Sequence, residues 1–122
     1  MLDELIKGKI YYKIFDRSEK NLTHQYNIHK FADQVSIDQA KNNIDRVIQS
    51  FDAKNMLLLN QVHGNNVAYI DELTTDFNIW PEADASVTKK PNIVLAVRTA
   101  DCVPVLLASS DGSIIGAVHC GW

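Results

Sequence analysis

The chain has 122 residues, 46% of them hydrophobic and 22% charged, with a formal net charge of −3. That length suits one domain with a core and is too short for two, and the balance is that of an ordinary globular protein. Beyond Lys89-Lys90 there is no basic cluster, so neither nucleic acid nor an anionic membrane is an expected partner.

The N-terminus, Met1 to Lys7, places Asp3 and Glu4 where a secretory leader would carry basic residues. No run approaches the ~18 apolar residues of a membrane span. Two cysteines do not make a disulfide framework, so the expected compartment is the cytoplasm and the expected state of both is a thiol or a ligand. Ile10 to Phe15 is rich in β-branched and aromatic residues and predicts a strand. The polar stretch that follows, with His24 and His29, reads as loop, and both histidines as solvated residues.

A helix is predicted to open at Ser36, where Ser36 and Gln39 have capping-box spacing. Ile37, Ala40, Ile44, Val47, Ile48 and Phe51 then recur on one face, against polar Lys41, Asn42, Asp45, Arg46 and Gln49. Met56 to Leu59 predicts a strand buried on both faces. Gly64-Asn65-Asn66 tolerates positive φ, and Val67 to Ile70 is expected to return from that turn as a strand. Asp71 to Pro81 reads as loop, and Ile93 to Val97 and Val103 to Ala108 as further strands.

Asp111-Gly112 is a hairpin signal ahead of Ile114 to Val118. With those two residues as the loop, Cys102 lies opposite Gly121 and His119 opposite Pro104. Cys102 and His119 are then diagonal neighbours on one face, roughly 7–8 Å apart at Cα, within reach of one metal ion. Cys120 falls on the other face, opposite Val103, which argues against a Cys102–Cys120 disulfide. A loop of odd length would reverse both statements. Pro104 suggests an edge-like start to its strand.

Two readings of these residues stand at this point. Cys102 is a small buried apolar side chain and the histidines are hydrogen-bonded structural residues, or His63, Cys102 and His119 form a ligand set. The second would leave a tetrahedral zinc with an open fourth position, the arrangement of catalytic sites. Asp84 and Asp101 are candidates for orienting carboxylates or general bases, with a turn-capping role as the competing reading for Asp84. Arg98 could pair with phosphate or form an ordinary salt bridge.

Four motifs carry a resemblance over residues 60–122. Asn60-Gln61-Val62-His63-Gly64, Ala83-Asp84-Ala85-Ser86-Val87-Thr88, Thr99-Ala100-Asp101-Cys102-Val103-Pro104-Val105-Leu106-Leu107 and His119-Cys120-Gly121-Trp122 resemble the YfiH-like family. Its members have been called laccase-domain proteins, multicopper polyphenol oxidases and purine nucleoside phosphorylases. The resemblance implies an α+β fold, an α-β-β-α layered sandwich similar to the catalytic domain of cytotoxic necrotizing factor. It implies zinc on His63, Cys102 and His119, with copper as the alternative that the laccase name would need. It further implies a cytoplasmic enzyme for phosphorolysis of adenosine, inosine and methylthioadenosine, using phosphate, with adenosine deamination as a second activity. Catalytic roles would fall to Cys102, Asp101 and Asp84. Relatives described as peptidoglycan editing factors imply an alternative, amide hydrolysis of cell-wall precursors by the same metal site or with Cys102 as nucleophile, and a non-catalytic metal-binding fragment is a third reading.

The family usually has alanine where this chain has Cys120, and Gly-rich segments that are not evident between Phe15 and Phe31. It also continues after Gly-Trp with about as much chain again. Residues 1–122 are therefore expected to form a single incomplete domain, the N-terminal part of the fold. An open sheet edge and an uncovered apolar face would follow, with homo-oligomerisation through the edge as the expected route to a stable state.

Overall fold

The computed structural model describes residues 2–16, 34–71 and 75–121; the polar segment with His24 and His29 lies outside them, as does Trp122. The described chain forms an α+β arrangement of three sheets and one helix, in the order β1 (Asp3–Ile6), β2 (Ile10–Tyr12), α1 (Gln34–Ser50), β3 (Asn55–Leu57), β4 (Val67–Ile70), β5 (Ala85–Thr88), β6 (Ile93–Leu95), β7 (Val103–Ala108) and β8 (Ile115–Cys120). β1 and β2 form an antiparallel ribbon, β3 and β6 a parallel pair, and the remaining four a sheet in the order β4-β5-β8-β7.

α1 begins at Gln34, two residues ahead of the expected start, which places Ser36 inside the first turn rather than at the N-cap. Its C-terminus closes by a Schellman arrangement: Ala53 N–H reaches the Ile48 carbonyl (3.0 Å), Asp52 N–H the Gln49 carbonyl (3.0 Å), and Asp52 takes the left-handed conformation (φ 51°). From Ala40 onward the apolar face packs as its spacing predicts, while the Ile37 side chain lies outside the described residues. Val47, Met56 and Leu58 form a buried cluster, with Ile44, Ile48, Phe51, Val94 and Ala96 against it. The other face of the β3–β6 pair carries Leu57, Leu59 and Ile93, which join Ile70 and Ala83 in a second cluster, with Ala68 against it. The order of layers is thus helix, two-stranded sheet, four-stranded sheet. Alternation along strands explains this: successive side chains point to opposite faces, so a run of apolar residues serves two layers at once. Burying Leu57 and Leu59, both wholly inaccessible, contributes about 2 kcal/mol each.

Two expectations are corrected. Met56 to Leu59 is buried throughout, but β-pairing covers only Asn55–Leu57, and Val67–Ile70 does not return against it as a hairpin. Instead the chain crosses to the next layer, where β4 pairs in parallel with β5, Val67 beside Ala85 and Ile70 beside Thr88. The strands predicted at Ile10–Phe15 and Ile93–Val97 are also shorter, ending at Tyr12 and Leu95.

The β7–β8 hairpin has the expected register. Val103 pairs with Cys120, Pro104 with His119 and Ala108 with Ile115. Its loop is longer than two residues: Ser109 N–H still bonds the Ile114 carbonyl (2.9 Å), leaving Ser110 to Ser113 as the connection. Four residues preserve the register that two would set, because both counts are even. Asp111 organises this loop by accepting from Ser109 Oγ (2.7 Å), Ser113 Oγ (2.7 Å) and Ser113 N–H (3.0 Å), bonds that hold its carboxyl at about 2. β7 is an edge strand, which is where Pro104 is tolerated.

Candidate metal centre

One end of the four-stranded sheet collects all the sequence-predicted ligands. His119 is the second-last residue of β8, Cys102 immediately precedes β7, and His63 lies in the segment that leads into β4. Their ligand atoms all lie within 4.8 Å of one another. A tetrahedral zinc with bonds of ~2.0–2.3 Å needs about 3.5 Å between ligands, so small side-chain rotations suffice. The two imidazoles meet edge to face, centroids 4.9 Å apart and planes at 81°. His119 is buried, Cys102 half-buried and His63 exposed, which opens the group to one side. Both Cys102 and Cys120 are free thiols, and Cys120, on the opposite face of β8, is exposed.

Asp84 ties two of the three ligand segments together. It sits just before β5, held in the sheet by Asp84 N–H to the Asn66 carbonyl (3.1 Å) and His119 N–H to the Asp84 carbonyl (2.7 Å). Its Oδ1 accepts from Val62 N–H (3.1 Å) and Gly64 N–H (2.9 Å). Oδ2 accepts from His63 N–H (3.0 Å) and lies 2.7 Å from His119 Nδ1. Three consecutive backbone N–H groups converging on an anion form a nest, and the left-handed residue that shapes it is His63 (φ 60°). The expectation of positive φ at Gly64-Asn65-Asn66 is corrected accordingly: the turn is bent by the carboxylate, at the ligand itself. Burial would push the Asp84 carboxyl up, but the bonds from His119, Gly64, Val62 and His63 outweigh it and lower it to about 2. Asp84 stays ionised near neutrality and lies within hydrogen-bond distance of His119 Nδ1; an Nδ1–H tautomer of that ring would donate to it and leave Nε2 for a metal. The same carboxylate thus caps the Val62–Gly64 turn and contacts the His119 ring.

Gly121 completes the wall. A Cβ there would stand 3.2 Å from His63 Cδ2, tighter than ordinary contact, so a glycine lets the ring lie against the end of β8. Asp101 is exposed on the bend before Cys102. Arg98 is engaged within the protein: Nη2 donates to the Leu59 carbonyl (2.9 Å) and its guanidinium lies 5.2 Å from the Trp80 ring centroid. The sequence reading assigned no role to Gln61, whose amide bonds the Arg98 backbone in both directions. Its only sequence signal was its place in the His63 motif.

Donor chemistry fits a borderline or soft ion: two imidazoles, one of them held by a carboxylate, and a thiol, with a side open to a further ligand. A family model described as multi-copper polyphenol oxidoreductase laccase matches residues 14–122, and the chain belongs to this laccase-like YfiH family. A purine nucleoside phosphorylase of Rickettsia conorii is 46% identical over 121 residues, 99% of this chain and 48% of the relative. One from Xylella fastidiosa is 52% identical over 66 residues, 52% of this chain and 25% of that protein. The crystal structure of a Neisseria meningitidis protein matches 68% of this chain and 33% of its own, at 35% identity and a TM-score of 0.59. YlmD of Geobacillus stearothermophilus matches 68% of this chain and 34% of its own, at 26% identity and a TM-score of 0.58. The chain spans about half the length of the curated relatives it covers most fully. Among the described residues no helix is long and apolar enough to cross a membrane.

Proposed function

We propose that this chain carries the metal-binding part of a purine nucleoside enzyme, with zinc held by His63, Cys102 and His119. The reading covers phosphorolysis of adenosine, inosine and methylthioadenosine, with adenosine deamination as a second activity. It takes residues 1–122 as one incomplete domain, cytoplasmic, able to self-associate through an open sheet edge. The observation that carries it is the convergence of three ligand atoms within 4.8 Å beside a carboxylate that fixes one imidazole. Relatives named purine nucleoside phosphorylase support the substrate class.

When bound, the ion supplies a Lewis-acid centre that can activate water or polarise a substrate atom. The chain's own residues divide the remaining work. Asp84 holds His119 in the Nδ1–H form and the His63 segment in place. Asp101, exposed beside Cys102, is the carboxylate free to carry a proton, a role that the lowered carboxyl of Asp84 disfavours. Zinc is preferred to copper because the proposed chemistry is hydrolytic and phosphorolytic, although imidazole and thiolate suit both.

Metal analysis of purified chain and of Cys102→Ser tests the ligand set: zinc at one equivalent in the first and a large loss in the second are expected, and equal content removes Cys102 from it. Incubation with inosine and phosphate, with and without added zinc, tests the reaction. Hypoxanthine release dependent on both is the expected result. Cleavage of an amide-linked cell-wall precursor without inosine turnover would favour the hydrolase reading instead, and zinc binding without turnover the non-catalytic one.

A further inference from the structure

The parallel pairing of β3 with β6 ends at Leu57 and Leu95, with one further bond from Ala96 N–H to the Leu57 carbonyl (3.0 Å). From there one chain runs to His63 and the other to Cys102. Side chains take over the bridging. Gln61 Nε2 donates to the Arg98 carbonyl (2.7 Å) and Gln61 Oε1 accepts from Arg98 N–H (2.8 Å). A primary amide offers one acceptor and two donors, so a single side chain makes both bonds that a neighbouring strand would make at that rung. The Arg98 guanidinium reaches back to the Leu59 carbonyl (2.9 Å).

Arg98 is the last half-buried residue before the ligand segment; Thr99, Ala100 and Asp101 are all exposed. Within that segment Thr99 Oγ1 donates to the Cys102 carbonyl, closing a turn. The turn runs from Arg98, which Gln61 bridges, to Val103, the first residue of β7 paired with β8, so its placement is set at both ends. Exposed segments with little apolar contact owe their local order to such bonds.

We infer that Gln61 is a positioning residue for the metal centre, holding the Cys102 segment at the correct distance from the His63 segment. The inference rests on the zinc reading above. Groups that orient metal ligands without touching the ion are worth about 10–100-fold in affinity. Gln61→Met keeps length and removes both bonds. Gln61→Glu keeps the acceptor for Arg98 N–H but sets an oxygen against the Arg98 carbonyl.

The test is zinc affinity by competition with a chromophoric chelator, paired with amide exchange at Arg98 in the metal-free chain. For both variants zinc binding is expected to weaken about 10–100-fold, and Arg98 exchange to quicken in Gln61→Met, while the β7–β8 amides keep their wild-type rates. Gln61→Glu decides the matter if Gln61→Met loses cooperative melting. Equal zinc affinity in wild type and the folded variants overturns the inference alone. A wild-type chain that binds no zinc removes the ligand reading, and the inference falls with it.

Discussion

Asp84 holds four donors with two oxygens, and the identity of each oxygen matters. In Asp84→Asn one of them becomes an amide nitrogen. Turned toward Oδ2's position, it faces His63 N–H and makes His119 Nδ1 an acceptor, moving the ring proton to Nε2, where the metal should bind. Asp84→Asn is expected to show the Nε2–H tautomer of His119 in nitrogen-15 spectra of the metal-free chain and zinc binding about 10–100-fold weaker. An unchanged tautomer would refute the orienting role. Acid stability gives a second readout. The carboxyl lies at about 2 in the folded chain against an ordinary 3.8, so its ionised form is favoured by folding. That contribution is whole above pH 4 and is lost as pH falls through 4 toward 2. The denaturant midpoint of the metal-free chain should therefore fall as pH drops over this window in wild type, and less so in Asp84→Asn.

Among the elements, the β3 segment and the β7–β8 hairpin place the ligands in different ways. Leu59 is wholly buried between the two sheets, two residues ahead of Gln61. Leu59→Ala is expected to cost about 2–5 kcal/mol in urea denaturation, while Leu107→Ser on the exposed outer face should change stability by less than about 0.5 kcal/mol. Similar costs for the two would contradict the layer order. The hairpin's register was readable because Asp111-Gly112 marks its tip and strand side chains alternate strictly. The face of α1 was readable for the same kind of reason, a period that reports burial. Periodicity does not report partners, so the parallel pairing of β4 with β5 was not legible, and acid-rich β1 carried no strand signal at all. Nor was the bend at His63. It depends on a carboxylate 21 residues away, a contact that local propensity does not encode.

At the scale of the whole molecule, the four-stranded sheet is covered on one side only among the described residues. Its inner face meets the β3–β6 pair, whereas Val67, Tyr69, Val103 and Leu107 on the outer face are each more than half exposed. An apolar sheet face of this kind favours association. The chain is expected to sediment faster as concentration rises, and Tyr69→Lys with Leu107→Lys to suppress the rise; a monomer at all concentrations would speak against self-association. The sheet's other property is where its end gathers chain. His63, Cys102 and His119 are separated by 39 and 17 residues of sequence. An ion shared by the three would act as a staple closing two loops, each closure restricting the unfolded chain by about 3–4 kcal/mol in the loop-entropy account of covalent cross-links. Zinc would then be as much a fastener of the fold as a participant in its chemistry.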